Sequence, residues 1–195
     1  MAQRRPNGSP AIADRHQEGE ELHFRMGGQA VGAIVVVLTP GAVEVAFPMA
    51  YLTGRVLVRI DPYELTRDTV FAGVDGHAVI LVDDGLLHPA ILVAAARAIR
   101  CGHPRRLVVA APVGAALVAR LAGPGVVDEI VEGPKAGLDS SARLPFEGEE
   151  PLGEVQAHRL LDEVNRRDGR GWALELLDVR LVSDDDRTGG HRPAA

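Results

Sequence analysis

Four runs of apolar residues, each closed by a turn, set the rhythm of the chain: Ala33-Ile34-Val35-Val36-Val37-Leu38, Val56-Leu57-Val58, Ala78-Val79-Ile80-Leu81-Val82 and Leu107-Val108-Val109-Ala110-Ala111. None alternates apolar with polar positions, so each predicts a strand covered on both faces, as in a parallel sheet. Val127-Asp128-Glu129-Ile130, within residues 126–131, predicts a short last strand. Between the strands the pattern changes to helical spacing. Residues 11–25 predict a short helix with Ile12, Leu22 and Phe24 as its apolar contacts, weakened by Gly19 and ended by Gly27-Gly28. Residues 43–52 predict a second helix, which Pro48 should kink or shorten. Residues 89–100 follow with Pro89 in the first turn, a face of Ile91, Leu92, Ala95, Ala96 and Ile99, and Gly102 as the stop. A small-residue helix over 113–122 ends at Gly123-Pro124-Gly125.

This alternation predicts an α/β fold, a parallel sheet flanked by helices in a Rossmann-like arrangement. The domain so defined spans residues 11–135, after a polar arm over 1–10 expected to be disordered. Residues 136–182 form a C-terminal extension. In it, 154–168 predict an amphipathic helix with Val155, His158, Leu161 and Val164 on one side. Residues 172–182 fit either an edge strand or a second helix, and 183–195 read as a disordered tail.

Composition narrows the function. At 195 residues and 46% hydrophobic, the chain can bury one core of this size. A net charge of -6 argues against nucleic acid as a partner, and 4% aromatic residues leave few stacking platforms. The one cysteine, Cys101, excludes an internal disulfide and a multi-cysteine zinc site. No apolar run is long enough to cross a bilayer and no secretory leader is visible, so no membrane partner and a cytoplasmic location are expected.

The candidate chemistry sits after the third run, where Val82 gives way to Asp83, Asp84 and Gly85. In open parallel sheets, ligands bind beyond the carboxyl ends of the strands. Two carboxylates there can accept hydrogen bonds from sugar hydroxyls or hold a divalent cation. The histidines show no metal-ligand spacing, the serines lack a nucleophile-elbow context, and no partner activates Cys101. A strand ending in two acids also opens receiver domains, but there the acids end the first strand and here a middle one.

The apolar strand leading into Asp83-Asp84-Gly85 resembles the ribose-phosphate site of the type I phosphoribosyltransferase family. Residues Ile12-Ala13-Asp14-Arg15, Glu18-Gly19 and Leu22 resemble the first helix of a divergent bacterial branch of it. The resemblance covers residues up to about 140. It implies that Asp83 and Asp84 bind ribose hydroxyls of phosphoribosyl pyrophosphate (PRPP). It further implies that Gly85, Leu86, Leu87, His88, Pro89, Ala90 and Ile91 form the 5-phosphate loop, and that Thr39, Pro40, Gly41 and Ala42 form the pyrophosphate loop. Mg²⁺ would enter with the ligand beside Asp83 and Asp84 if the protein is active.

Three departures accompany the resemblance. His88-Pro89-Ala90-Ile91 replaces a Thr- and Gly-rich phosphate loop, Thr39-Pro40-Gly41-Ala42 lacks the pyrophosphate-loop arginine, and only residues 61–78 stand where relatives carry a hood, which is therefore largely absent. His88 could donate to a phosphate when protonated, but is more simply an exposed loop residue without a role. The expectation is a degenerate phosphoribosyltransferase-like protein binding a phosphorylated ribose or nucleotide with weak or no turnover. The alternatives are an active enzyme transferring phosphoribose to a nitrogenous base, and a non-catalytic interaction scaffold. Association as a homodimer is left open.

Overall fold

The computed structural model describes residues 15–27, 32–53, 57–65, 69–85, 87–133, 152–167 and 180–183. The expected terminal arm and most of the tail, residues 134–151 and 168–179, and Leu86 lie outside the described residues. In chain order the elements are α1 (Arg15–Met26), β1 (Ile34–Val37), α2 (Pro40–Thr53), β2 (Leu57–Arg59), a 3-10 turn (Pro62–Glu64), β3 (Thr69–Ala72), β4 (Ala78–Val82), α3 (Pro89–Cys101), β5 (Arg106–Ala111), α4 (Ala115–Ala122), β6 (Glu129–Glu132), α5 (Glu154–Arg167) and β7 (Arg180–Ser183).

Five strands form one parallel sheet in the order β2-β1-β4-β5-β6. The apolar runs are indeed its buried strands: β1 and β4 pair from Ile34↔Val79 to Val37↔Val82, and every residue of both is buried. Successive residues point to opposite faces, which divides the core in two. Val35, Val37, Ile80, Val82, Val108 and Ala110 meet α1, α2 and α5 on one face. Val36, Val79, Leu81, Leu107 and Val109 meet α3, α4 and Phe71 of β3 on the other. No helix among the described residues is long and apolar enough to cross a membrane.

Several expectations change. Pro48 lies inside α2, which runs unbroken from Pro40 to Thr53. Its ring packs on α1: a Cβ on Gly19 would lie 2.0 Å from the Val45 carbonyl oxygen and 2.6 Å from Pro48 Cγ. Gly19, which looked like a weakness of α1, is the gap that admits the proline ring and lets the two helices close. Phe24, expected as an apolar contact, is 86% exposed. On α5 the buried positions are Ala157 and Val164, with Leu160 and Leu161 packed beside them, while Val155 and His158 face solvent. Cys101 is exposed.

Two connections were not foreseen. The short stretch before β4 contains β3, which pairs antiparallel with β7 from Thr69↔Ser183 to Ala72↔Arg180. Residues 180–183 are thus a strand, settling that part of the strand-or-helix choice. Phe71 and Val74 pack at Gly102, the far end of α3 from its N-terminus. In addition, α5 covers the outer edge of the sheet. Asn165 Oδ1 accepts from Leu57 N–H at 3.1 Å and Asn165 Nδ2 donates to Leu57 O at 2.9 Å, imitating the next strand of the sheet. Arg59, at the other end of β2, pairs with Glu154 in the first turn of α5.

Candidate functional site

The chain leaves β1 for α2 on one face of the sheet and leaves β4 for α3 on the other. Because β1 and β4 are neighbours, their carboxyl ends diverge and open a crevice, the place where open α/β sheets take ligands. Both sequence-predicted turns, 39–42 and 83–91, are brought to this edge. Asp83 N–H still donates to Ala110 O at 3.0 Å, so the ladder extends one residue past β4 before the chain turns away.

Asp83 and Asp84 are only 2% and 3% exposed. Asp83 folds back on its own loop: Gly85 N–H donates to Oδ2 at 2.7 Å. Gly85 makes this turn at φ +82, and a Cβ there would approach Val113 Cγ2 to 3.0 Å, so both conformation and space call for glycine. The amides of Leu87 and Asp84 also favour the ionised carboxylate, yet Oδ1 accepts no hydrogen bond from the described residues. Burial, and then the charge of Asp84, outweigh these amides and push the Asp83 pKa up to about 7.

Asp84 is held differently. Arg15 Nε donates to its Oδ2 at 3.4 Å, and Arg15 Nη1 lies 4.0 Å from Glu44 Oε2. Arg15 is itself 3% exposed, so this is an ion pair withdrawn from water. Gly41 stands against the same carboxylate, bringing the N-terminus of α2 toward it, where the helix dipole favours negative charge. Thr39 begins that helix: its Oγ1 accepts from Ala42 N–H at 3.1 Å and its carbonyl from Val43 N–H at 3.2 Å. The expected pyrophosphate turn is thus the first turn of α2. Glu18, 4% exposed, places Oε2 near Gly133 at the end of β6.

Sequence reasoning named Arg15 and Glu18 only for their resemblance to the family's first helix, gave neither a role at the site, and did not single out Glu44. A signal existed. Arg15 and Glu18 precede Leu22 by seven and four residues, and Met26 follows by four, so all lie on one helical stripe. Counting only apolar positions hid the charged half of it.

His88 is exposed, as expected of a loop residue, but it has a structural role. It caps α3: at φ -64 and ψ 129, its Nδ1 accepts from Ala90 N–H at 3.2 Å, and its carbonyl accepts from Ile91 N–H at 2.9 Å. Pro89 occupies the first helical position, where its missing N–H costs nothing. Leu87 and Ile91 pack against the α3 side of the core.

The acids do not fit a protein-held divalent cation. No group of three or more His, Cys, Asp or Glu that could hold a metal ion occurs among the described residues. Asp84 already faces a guanidinium, which would repel a cation placed beside it.

No protein-family model matches the chain, and no curated protein sequence does. Among solved structures, the crystal structure of TT1426 from Thermus thermophilus is similar, with 21% sequence identity over 78% of this chain and 98% of that chain, and a TM-score of 0.55. The likeness is one of fold: a parallel α/β protein of Rossmann-like arrangement.

Proposed function

We propose that this chain is a phosphoribosyltransferase-like binding protein that holds a phosphorylated ribose or a nucleotide in the crevice between β1 and β4, with weak or no transfer activity. One observation carries the reading. Asp83 is buried at the switch point of the sheet with one carboxylate oxygen lacking a hydrogen bond among the described residues. Such an arrangement costs stability, and groups kept at that cost mark functional sites. A sugar hydroxyl, both donor and acceptor, can meet that oxygen whether or not it carries the proton. Weak transfer follows from what surrounds it. Transferring a phosphoribosyl group requires stabilising a leaving pyrophosphate, and the turn at 39–42 offers no side-chain cation. Exposed Cys101 suits a reducing compartment, and we place the protein in the cytoplasm.

The test is calorimetric titration with PRPP, ribose 5-phosphate and nucleotides, with and without Mg²⁺, beside an assay of pyrophosphate release over purine, pyrimidine and nicotinate-type acceptors. Binding at micromolar to millimolar concentration with little release is expected. No binding of any of them sinks the proposal, and robust release that disappears in Asp84→Asn replaces it with an active transferase.

A further inference from the structure

We propose that a second copy of this chain docks on the outer edge of β6, antiparallel about a two-fold axis at Ile130, so that the two five-stranded sheets become one. Among the described residues β6 closes its side of the sheet, whereas β2 on the other side is covered by α5. In a parallel ladder a strand bonds its neighbour through alternate residues. Asp128 N–H donates to Leu107 O at 2.9 Å, so Ile130 also turns its backbone to β5, and Glu129 and Val131 turn theirs outward. Natural edges are covered or guarded by charges. Here the acids of β6 are held within the chain: Glu129 by Arg106, and Glu132 by Ala116 N–H at 2.8 Å.

The edge matches itself. With the axis at Ile130, Glu129 N–H donates to the Val131 carbonyl of the second copy and Val131 N–H to its Glu129 carbonyl, and the second copy returns both bonds. Ile130 then stands against its own twin. It is 43% exposed and lies on the face covered by α4, whose Leu121 is 50% exposed. Val131 points the other way, into the α1 side of the core. Pairing therefore buries apolar surface that a single chain leaves in water. Asp128 meets Glu132 of the second copy, but Arg100 holds the first and the Ala116 amide the second.

Charge on the α1 face favours a second copy over an unrelated strand. α1 lies above β5 and β6, where Leu22 and Met26 join Val108, Ala110 and Val131. One flank of α1 meets α2, through Gly19 against Val45 and His16 beside Phe47. The opposite flank carries Glu21 and Arg25, both exposed and without an ion pair among the described residues. Glu18 stands near Gly133 at one end of β6 and Met26 near Glu129 at the other, so the axis at Ile130 passes between Glu21 and Arg25. Strands about 4.8 Å apart bring α1 and its twin to roughly 10 Å, the spacing of packed helices. The two helices run antiparallel, so Glu21 of each faces Arg25 of the other.

The experiment is sedimentation velocity of the full chain over a concentration series, with amide exchange of β6. A dimer that dissociates on dilution is expected, with the Glu129 and Val131 amides exchanging at least about tenfold faster in the dilute chain. Ile130→Lys, at an exposed position, should weaken the dimer by roughly tenfold or more. Glu21→Arg should weaken it by about threefold or more, and adding Arg25→Glu should restore it. A chain that stays monomeric up to roughly 100 μM overturns the proposal. A dimer that Ile130→Lys leaves intact overturns it too, because that dimer uses another surface. Equal protection of Glu129 and Val131 in the dilute chain has the same force, since the edge is then filled from within. An affinity that the α1 variants do not lower and restore overturns the contact between the helices.

Discussion

Gly41 leaves no room between α2 and Asp84: a Cβ there would sit 2.2 Å from Asp84 Oδ2 and 3.3 Å from Arg15 Nε. The close approach is what keeps the Arg15–Asp84 pair dry, because it closes the turn over the carboxylate. Gly41→Ala should therefore cost roughly 1–3 kcal/mol through overpacking, although the substitution favours a helix elsewhere. Asp84→Ala should cost more, roughly 3–5 kcal/mol, since it removes a buried carboxylate that faces the 3%-exposed Arg15. Urea unfolding at neutral pH ranks the two, and a Gly41→Ala protein as stable as the parent would refute the packing.

Asp83 makes stability depend on pH in an unusual direction. The folded protein holds its proton up to about pH 7, whereas the unfolded chain releases it near the ordinary value of 3.8. Between these values the folded state binds more protons than the unfolded one, so stability falls as pH rises through the window and levels off above it. Asp83→Asn removes the penalty while keeping an acceptor for Gly85 N–H. It should stabilise the protein by roughly 1–3 kcal/mol at pH 8, with the gain gone near pH 4. A constant difference across thermal melts from pH 4 to pH 8 would count against a buried, proton-holding Asp83.

Gly19→Ala pits a local rule against a tertiary one. Inside a helix, alanine is favoured over glycine by about 1 kcal/mol. Here the new methyl would meet the Val45 carbonyl oxygen at 2.0 Å, a backbone atom that cannot rotate away. The expected outcome is a net loss of roughly 1–3 kcal/mol and a lower melting temperature. A higher melting temperature would show that α1 and α2 do not approach as described.

Asn165→Leu keeps the bulk of α5 but strips both hydrogen bonds from Leu57, whose N–H and carbonyl face away from β1. With one buried donor left unmatched, the loss should be about 1–3 kcal/mol. Amide exchange of Leu57 should accelerate while that of Val79 at the sheet centre does not. Equal exchange of Leu57 in both proteins would mean the clamp is idle.

Much of the fold was legible in the sequence because β1, β4 and β5 are covered on both faces, and only a strand in that position leaves an uninterrupted apolar run. The end of β4 was legible for the same reason: Asp83 and Asp84 break the run where the sheet ends. What could not be read depends on partners far away in the chain. β3 is four residues long and takes its meaning from β7, which begins at Arg180. The capping role of His88 needs the imidazole turned toward Ala90, which residue order does not reveal. The charge around Asp84 stayed hidden because Arg15 lies 69 residues before it and looks, by its type, like solvent-facing surface.

The Asn165 clamp on β2 also sets a timetable. Leu57 and Asn165 are 108 residues apart, and chains leave the ribosome N-terminus first at about 5–20 residues per second. For roughly 5–20 seconds of synthesis the nascent sheet therefore carries an outer strand with nothing to bond to, the state in which one emerging chain can pair with another. Arg59 at the end of that strand meets its partner Glu154 only as the same helix appears. Until then it puts a charge on the open edge, which natural edge strands use to discourage neighbours. A single residue thus serves first as a guard during synthesis and afterwards as half of the latch.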